Sequence, residues 1–400
     1  MWHYYSKNRP FLAKYHLLCQ KVRKLVLRAT IHRDMHSLLP FASYRYDPFE
    51  ASTSTIENPP LEPLLDQITL DDEAGLYIYQ TVHTTQSGEL KRMRGIVGIL
   101  ELTDPASLPQ KSKQSDNHTD PLSGQPWPDL ALLPHENTTH AYRQDRIPSK
   151  RPKHPIWLLD KTEAISQLIS ISEGDLVSRV TDSTGVHHRI WLIRQPALLR
   201  EFQETTSSLP LIVADGHHRL RAAASSIAAT GPKRFTCMVT PSFDQGPTLA
   251  TWARSYRPTV PPSNLERMLR TKFDLVPVSG TGRAKISWPT APLLRIGKAV
   301  FAFSGEISKI ASDSEVTDAE LFEAEIPFPF ESAGYRSDVS FLDQSTPSEY
   351  DGETFELLPR PVTIETVVSR STSKQLLPAK TTRFHPKALP GLLLGEEIDR

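Results

Sequence analysis

Five consecutive residues, Asp215, Gly216, His217, His218 and Arg219, have the chemistry to hold a phosphate. The planar guanidinium of Arg219 can grip two phosphate oxygens at once, and His217 or His218 adds a further donor. Gly216 permits a tight turn and lets a ligand approach the backbone. Asp215 can hold a ribose hydroxyl, orient a histidine, or meet a divalent metal carried by a nucleotide. The structural alternative makes Asp215 a helix N-cap and leaves His217, His218 and Arg219 solvated in the first turn. Cations at a helix N-terminus oppose the macrodipole, and an anionic ligand relieves that conflict. Adjacent residues on a helix point in different directions, which argues against a metal site made of His217 and His218.

Such a turn needs a strand to end on it and a helix to start from it. Residues 209–214 are a short, wholly apolar run that reads as a buried strand. Residues 220–229 are Ala-rich and read as a helix, stopped by Gly231-Pro232. The helix start supplies unpaired backbone N–H groups and the positive end of its dipole. Upstream, residues 75–82 and 94–101 are rich in β-branched and aromatic side chains and predict neighbouring strands, with Ser87-Gly88 between them. Residues 155–159 predict a strand and 161–170 a helix. Residues 175–181 and 187–193 flank Asp182-Ser-Thr-Gly185 as a hairpin. A helix at 198–202 and a strand at 234–240 follow. Beyond residue 260 the pattern predicts a helix at 265–272, short strands between 285 and 310, helical character at 318–322, and a β-prone stretch at 364–369. Thirty-four prolines and many short strands argue for an α+β fold with mixed or antiparallel sheets and flanking helices. Neither a regular βαβ alternation nor an internal repeat is visible.

Lys and Arg total 46 and Asp and Glu total 46, so no whole-chain charge points to nucleic acid. Cys19 and Cys237 lack metal-ligand spacing and read as two free thiols of a cytoplasmic protein. No apolar run is long enough to cross a bilayer. Phe11, Tyr15, Leu18, Val22, Leu25 and Val26 recur at helical spacing among basic residues. They form either a basic amphipathic helix for a membrane or partner, or a peripheral extension of the fold or of the reading frame. No P-loop, no GxGxxG after a strand, no HExxH and no GxSxG is present.

The stretch from Ile212 to Ala223, Ile-Val-Ala-Asp-Gly-His-His-Arg-Leu-Arg-Ala-Ala, resembles the signature of a bacterial family known as domain of unknown function 1015. Three other blocks resemble it in order and spacing. These are Leu76-Tyr-Ile-Tyr-Gln80 with Arg94-Gly-Ile-Val-Gly98, His135-Glu-Asn-Thr138 with Asp145-Arg146, and the block from Leu377 through Pro386-Lys387 to Gly391-Leu392. The resemblance spans about residues 40–395. Two blocks depart from the pattern: only Tyr46-Asp47-Pro48 remains of an N-terminal motif, and Ser255-Tyr256-Arg257 lacks a histidine. The Asp215–Arg219 motif also resembles that of free serine kinases of the ParB/sulfiredoxin fold, in which the related turn contacts nucleotide phosphates.

The resemblance implies a ParB/sulfiredoxin-like nucleotide-binding core and a kinase-like phosphotransferase that acts on the hydroxyl of a small molecule, with free L-serine as the leading acceptor. The donor would be ADP or ATP with Mg²⁺. Gly216, His218, Arg219, Arg146 and Lys380 would bind the nucleotide or its phosphates, while Glu136, Asp215 and His217 would be catalytic. Transfer to a hydroxyl needs a carboxylate near the acceptor, which is the role read for Glu136. The alternatives place Glu136 in a helix first turn, Arg146 in a surface ion pair and Lys380 in solvent. His187 and His188 lie in a strand, where at most one can face the site, and both are discounted; His385 reads as a turn contact. The second functional reading is a non-enzymatic nucleotide-binding regulator. The domain plan is a basic extension at 1–40, a nucleotide-binding region at 41–260 with an insertion at 105–130, and a C-terminal α+β region at 261–400 that completes the site.

Overall fold

The computed structural model describes residues 36–46, 68–85, 88–102, 130–132, 154–216, 233–258, 265–278, 291–297, 299–304, 316–325, 330–337, 354–373, 377–378 and 380–393. They form a mixed α+β fold, rich in strands with a few helices. The strands in chain order are β1 (His36–Leu39), β2 (Tyr44–Tyr46), β3 (Ile68–Leu70), β4 (Leu76–Thr84), β5 (Leu90–Leu102), β6 (Leu130–Leu132), β7 (Ile156–Asp160), β8 (Asp175–Thr181), β9 (His187–Ile193), β10 (Leu211–Asp215) and β11 (Lys233–Pro241). After these come β12 (Thr248–Ala250), β13 (Trp252–Pro258), β14 (Leu275–Pro277), β15 (Leu293–Ile296), β16 (Ala299–Phe303), β17 (Phe330–Ser337), β18 (Phe355–Leu358) and β19 (Arg383–His385). The helices are α1 (Ala164–Ile171), α2 (Pro196–Ser208), α3 (Leu265–Lys272), α4 (Asp318–Glu325) and α5 (Ile364–Ser373).

Among the described residues, nine strands form one mixed sheet in the order β6-β10-β7-β11-β5-β4-β9-β8, with β1 pairing the far end of β5. The pairs β6–β10 and β7–β11 are parallel and the rest antiparallel. Strands β7 and β10 are apolar up to their terminal aspartates because both of their faces are covered. Ile156 and Leu158 of β7 face α1 and α2 together with Leu211 and Val213 of β10. Trp157, Leu159, Ile212 and Ala214 face the opposite side, where α5 and residues 384–393 pack. Gly98 allows close packing: a Cβ there would stand 2.7 Å from side-chain carbons of Leu38 and of Leu76. The sheet thus takes in residues 36–39, which fall within the extension expected at 1–40.

Six further strands form an antiparallel sheet in the order β14-β16-β15-β18-β13-β17. Leu269 and Phe273 of the α3 region and Phe322 of α4 pack on it against Tyr256, Phe301, Phe303, Phe355 and Leu357. Tyr256, at the position of the missing histidine, stacks on Phe355 with ring centres 5.4 Å apart.

One prediction needs correction. Residues 364–369, β-prone by composition, are helical and open α5. The Thr363 hydroxyl accepts the Thr366 amide at 3.2 Å and caps the helix. Glu365 in the first turn and Arg370 in the last suit the dipole, and Val367 and Ser371 bury one face. Tertiary packing here overrides the strand preference of Ile364, Val367 and Val368. Cys237 is a free thiol of the core, pushed up by its burial. No helix among the described residues is long and apolar enough to cross a membrane. The helical pattern among residues 11–26 and the insertion core at 105–129 lie outside the described residues.

Candidate functional site

The strand β10 ends as the sequence predicts, on Asp215 and Gly216, with Gly216 in the left-handed region at φ 97°. A β-bulge then decides where Asp215 points. Val213 pairs with Leu158, but Asp215 rather than Ala214 pairs with Trp157. The extra residue turns Asp215 to the face occupied by Trp157 and the 384–393 segment. There its carboxylate Oδ2 accepts a hydrogen bond from the Lys387 Nζ at 3.0 Å. Both groups keep contact with solvent, with 43% of the Lys387 side chain and 33% of the Asp215 side chain exposed.

Lys387 is delivered by a segment anchored on either side. Phe384 packs on Trp157 at 5.9 Å between ring centres, and β19 pairs with β12. His154 donates from Nδ1 to the Ala388 carbonyl at 2.6 Å, and the Leu389 amide donates to the Tyr79 hydroxyl oxygen at 2.9 Å. Because that amide can only donate, the Tyr79 hydrogen is left for Nδ1 of His188, 2.9 Å away. Nε2 of His188 then carries its hydrogen toward Asp182 Oδ2 at 3.2 Å. Partial burial acts to raise the Asp182 carboxyl, but hydrogen bonds from His188, Thr184 and Val186 outweigh it and hold the group well below the usual range. Burial pushes the Tyr79 phenol up. The chain Leu389–Tyr79–His188–Asp182 therefore ties the C-terminal segment to the hairpin turn between β8 and β9. A Tyr79→Phe variant leaves a buried amide and a buried ring nitrogen without their shared partner, and a loss of about 2 kcal/mol is expected. Urea unfolding checks this, and an unchanged midpoint would show that the hydroxyl is dispensable.

Tyr77, two residues earlier on the same face, anchors the N-terminal side. It donates to Asp71 Oδ2 at 2.6 Å and accepts the Ser43 amide at 2.9 Å, while Arg45 clasps Asp71 with two nitrogens. Farther along β4, His83 and His385 meet edge to face with ring centres 5.3 Å apart. Burial, reinforced by His83 and Arg383, pushes His385 down to about 4. Burial and then Lys91 lower His83 as well.

Of the residues singled out by sequence, Asp215 and Gly216 stand at the strand end. Lys380 lies with its ammonium 4.9 Å from the centre of the Trp252 ring, at φ 56°. Glu136, Arg146, His217, His218 and Arg219 lie outside the described residues. His188, discounted on sequence, is fully buried in the hydrogen-bond chain, while His187 is exposed and bonded to Thr181. Lys387, which the sequence marks only as part of the Leu377–Leu392 block, meets Asp215 at the turn. Its signal was present: it is the one charged residue in the apolar stretch 384–393. Asp215, already shared with an ammonium, is a poor sole ligand for a cation, although it can meet one brought on phosphates. Among the described residues no group of three or more His, Cys, Asp or Glu is placed to hold a metal.

These features define a mixed α+β protein whose large sheet ends in an Asp-Gly turn faced by a lysine. Residues 58–250, just under half of the chain, match the family model described as protein of unknown function DUF1015. The match covers the Tyr77 and Tyr79 strand and the Asp215 turn, whereas Lys387 lies beyond it. No curated protein matches the chain. Among solved structures, a conserved hypothetical protein from Pyrococcus furiosus is 19% identical over 47% of this chain and 75% of its own, with a TM-score of 0.26. C-terminally truncated SbnI from Staphylococcus aureus is 12% identical over 67% of this chain and 84% of its own, at 0.32. A free serine kinase in complex with AMP is 19% identical over 46% and 72%, at 0.24. Likeness at this level assigns no function.

Proposed function

We propose that the chain is a nucleotide-dependent phosphotransferase that acts on the hydroxyl of a small molecule, with free L-serine the leading acceptor, on a ParB/sulfiredoxin-like core. The observation that carries this reading is the bulged end of β10, which brings Asp215, the left-handed Gly216 and the Lys387 ammonium together at a partly exposed turn. The choice of serine rests on the resemblance of the Asp215–Arg219 sequence to free serine kinases. In this reading His217, His218 and Arg219, which follow the turn directly, hold the phosphates of ADP or ATP, and Arg146 and Lys380 are further candidate cations. Asp215 faces the ribose or the Mg²⁺ carried on those phosphates. Glu136 takes the hydroxyl proton as the acceptor oxygen bonds to the terminal phosphorus. The bridging P–O bond breaks, and the shortened nucleotide leaves with the electron pair. Positioning and charge neutralisation account for most of such catalysis.

The test incubates the protein with Mg²⁺, L-serine and either ADP or ATP and reads O-phosphoserine by mass spectrometry. Product that falls at least 100-fold in Arg219→Ala, and in Glu136→Gln without loss of nucleotide binding, is the expected result. Nucleotide binding that needs Arg219 but yields no product would support a regulator in place of an enzyme. Absence of both would overturn the phosphate site itself.

A further inference from the structure

We infer that Lys387 is a phosphate-binding residue of this site, supplied by the C-terminal segment and held in position by Asp215. The inference rests on the nucleotide-binding reading above. Its ground is the contrast between Lys387 and its neighbours. Residues 384–393 are buried or half-buried throughout except Lys387, whose ammonium stands at the solvent edge beside the Gly216 turn. The backbone that carries it is fixed immediately downstream by the bonds of Ala388 and Leu389 to His154 and Tyr79, and upstream by Phe384 on Trp157. A partly exposed ion pair contributes little to stability, so the pair with Asp215 is a weak reason for a charge at this one position of an otherwise buried segment. An ammonium has three donors, and Asp215 engages one of them at 3.0 Å. Among the described residues the other two meet no acceptor, which leaves them for an anion at the turn without rupture of the pair. Asp215 thus acts as a positioning residue besides the role toward ribose or metal given above. The separation of the two residues along the chain means that the site is incomplete until the C-terminal segment has docked.

The experiment measures binding of ADP and of adenosine by calorimetry to the full chain and to its Lys387→Met, Lys387→Arg and Arg219→Ala variants. Lys387→Met is expected to weaken ADP at least 10-fold and leave adenosine within about twofold, since only the phosphates meet the ammonium; Lys387→Arg, which keeps the charge, should recover most of the loss. As a measurement free of mutation, acetylation of Lys387 in the unaltered protein, mapped by mass spectrometry, should slow with ADP and not with adenosine. If ADP binding needs Arg219 but is unchanged in Lys387→Met, and ADP leaves acetylation unaltered, the inference fails while the nucleotide site stands. If the unaltered protein binds neither ADP nor adenosine, the functional reading fails and this inference with it.

Discussion

A chain that stops at Thr382 is expected to lose its cooperative fold. The cut removes Phe384, Leu389, Leu392 and Leu393, all nearly inaccessible to solvent, from the face of the large sheet that also carries Trp157, Leu159 and Ile212. At about 1.5–3 kcal/mol for each large apolar side chain, the loss is roughly 6–12 kcal/mol before the newly exposed sheet face is counted. That is as large as the whole net stability of an ordinary domain, about 5–15 kcal/mol. The cut also removes the Leu389 amide from the Tyr79 hydroxyl and the Lys387 ammonium from the Asp215 carboxylate. Near-ultraviolet circular dichroism and urea unfolding should show a protein without fixed tertiary packing. A sharp transition near the full-length midpoint would mean that the segment is an accessory to the fold and not part of its core.

The second large effect is a loss of stability in mild acid. His385 has a pKa of about 4 in the folded protein against an ordinary 6.5, with burial the leading cause. The unfolded chain therefore binds the proton more readily between these values, and stability rises with pH across that window. The contribution is complete above the ordinary histidine pKa and is lost as pH falls toward 4. Its size is about 2 kcal/mol between pH 7 and pH 5. His83 acts in the same direction, and the groups around the pair are Lys91, Asp182, His188 and Arg383. A His385→Gln protein should lose correspondingly less stability between those pH values in urea titrations. Equal slopes for the two proteins would place the acid sensitivity elsewhere.

The parts of this protein legible in its sequence are those decided within a few residues. The apolar run before Asp215, the glycine at the turn and the Asp182–Gly185 hairpin each carry their own local reason, and all three stand where the pattern puts them. The three-residue strand β6 exists because it pairs in parallel with β10, a partner far along the chain, and nothing local marks it. Helix α5 escapes a local pattern because its β-branched residues outweigh, in composition, a cap and a buried face that only the fold reveals. The link from Tyr79 to His188 depends on register. His188 pairs with Thr81, which makes it a diagonal neighbour of Tyr79 on one face of the sheet. Lys387 and Asp215 meet across a sequence separation of 172 residues, so their pairing lies beyond any local pattern.

The late position of the covering segment also bears on how the protein is made. The strands of the large sheet are synthesised by Pro241, yet α5 and residues 384–393, which pack on their Trp157 face, come only after the whole second sheet. At an ordinary elongation rate the ribosome needs on the order of ten seconds to cross that interval. Throughout it, the nascent chain lacks the cover that α5 and residues 384–393 give this aromatic sheet surface. Contacts this distant along the chain also form slowly once both partners exist. The same docking step that brings Lys387 to Asp215 is thus the step that ends the protein's exposure to aggregation, so that assembly of the site and escape from misfolding are one event.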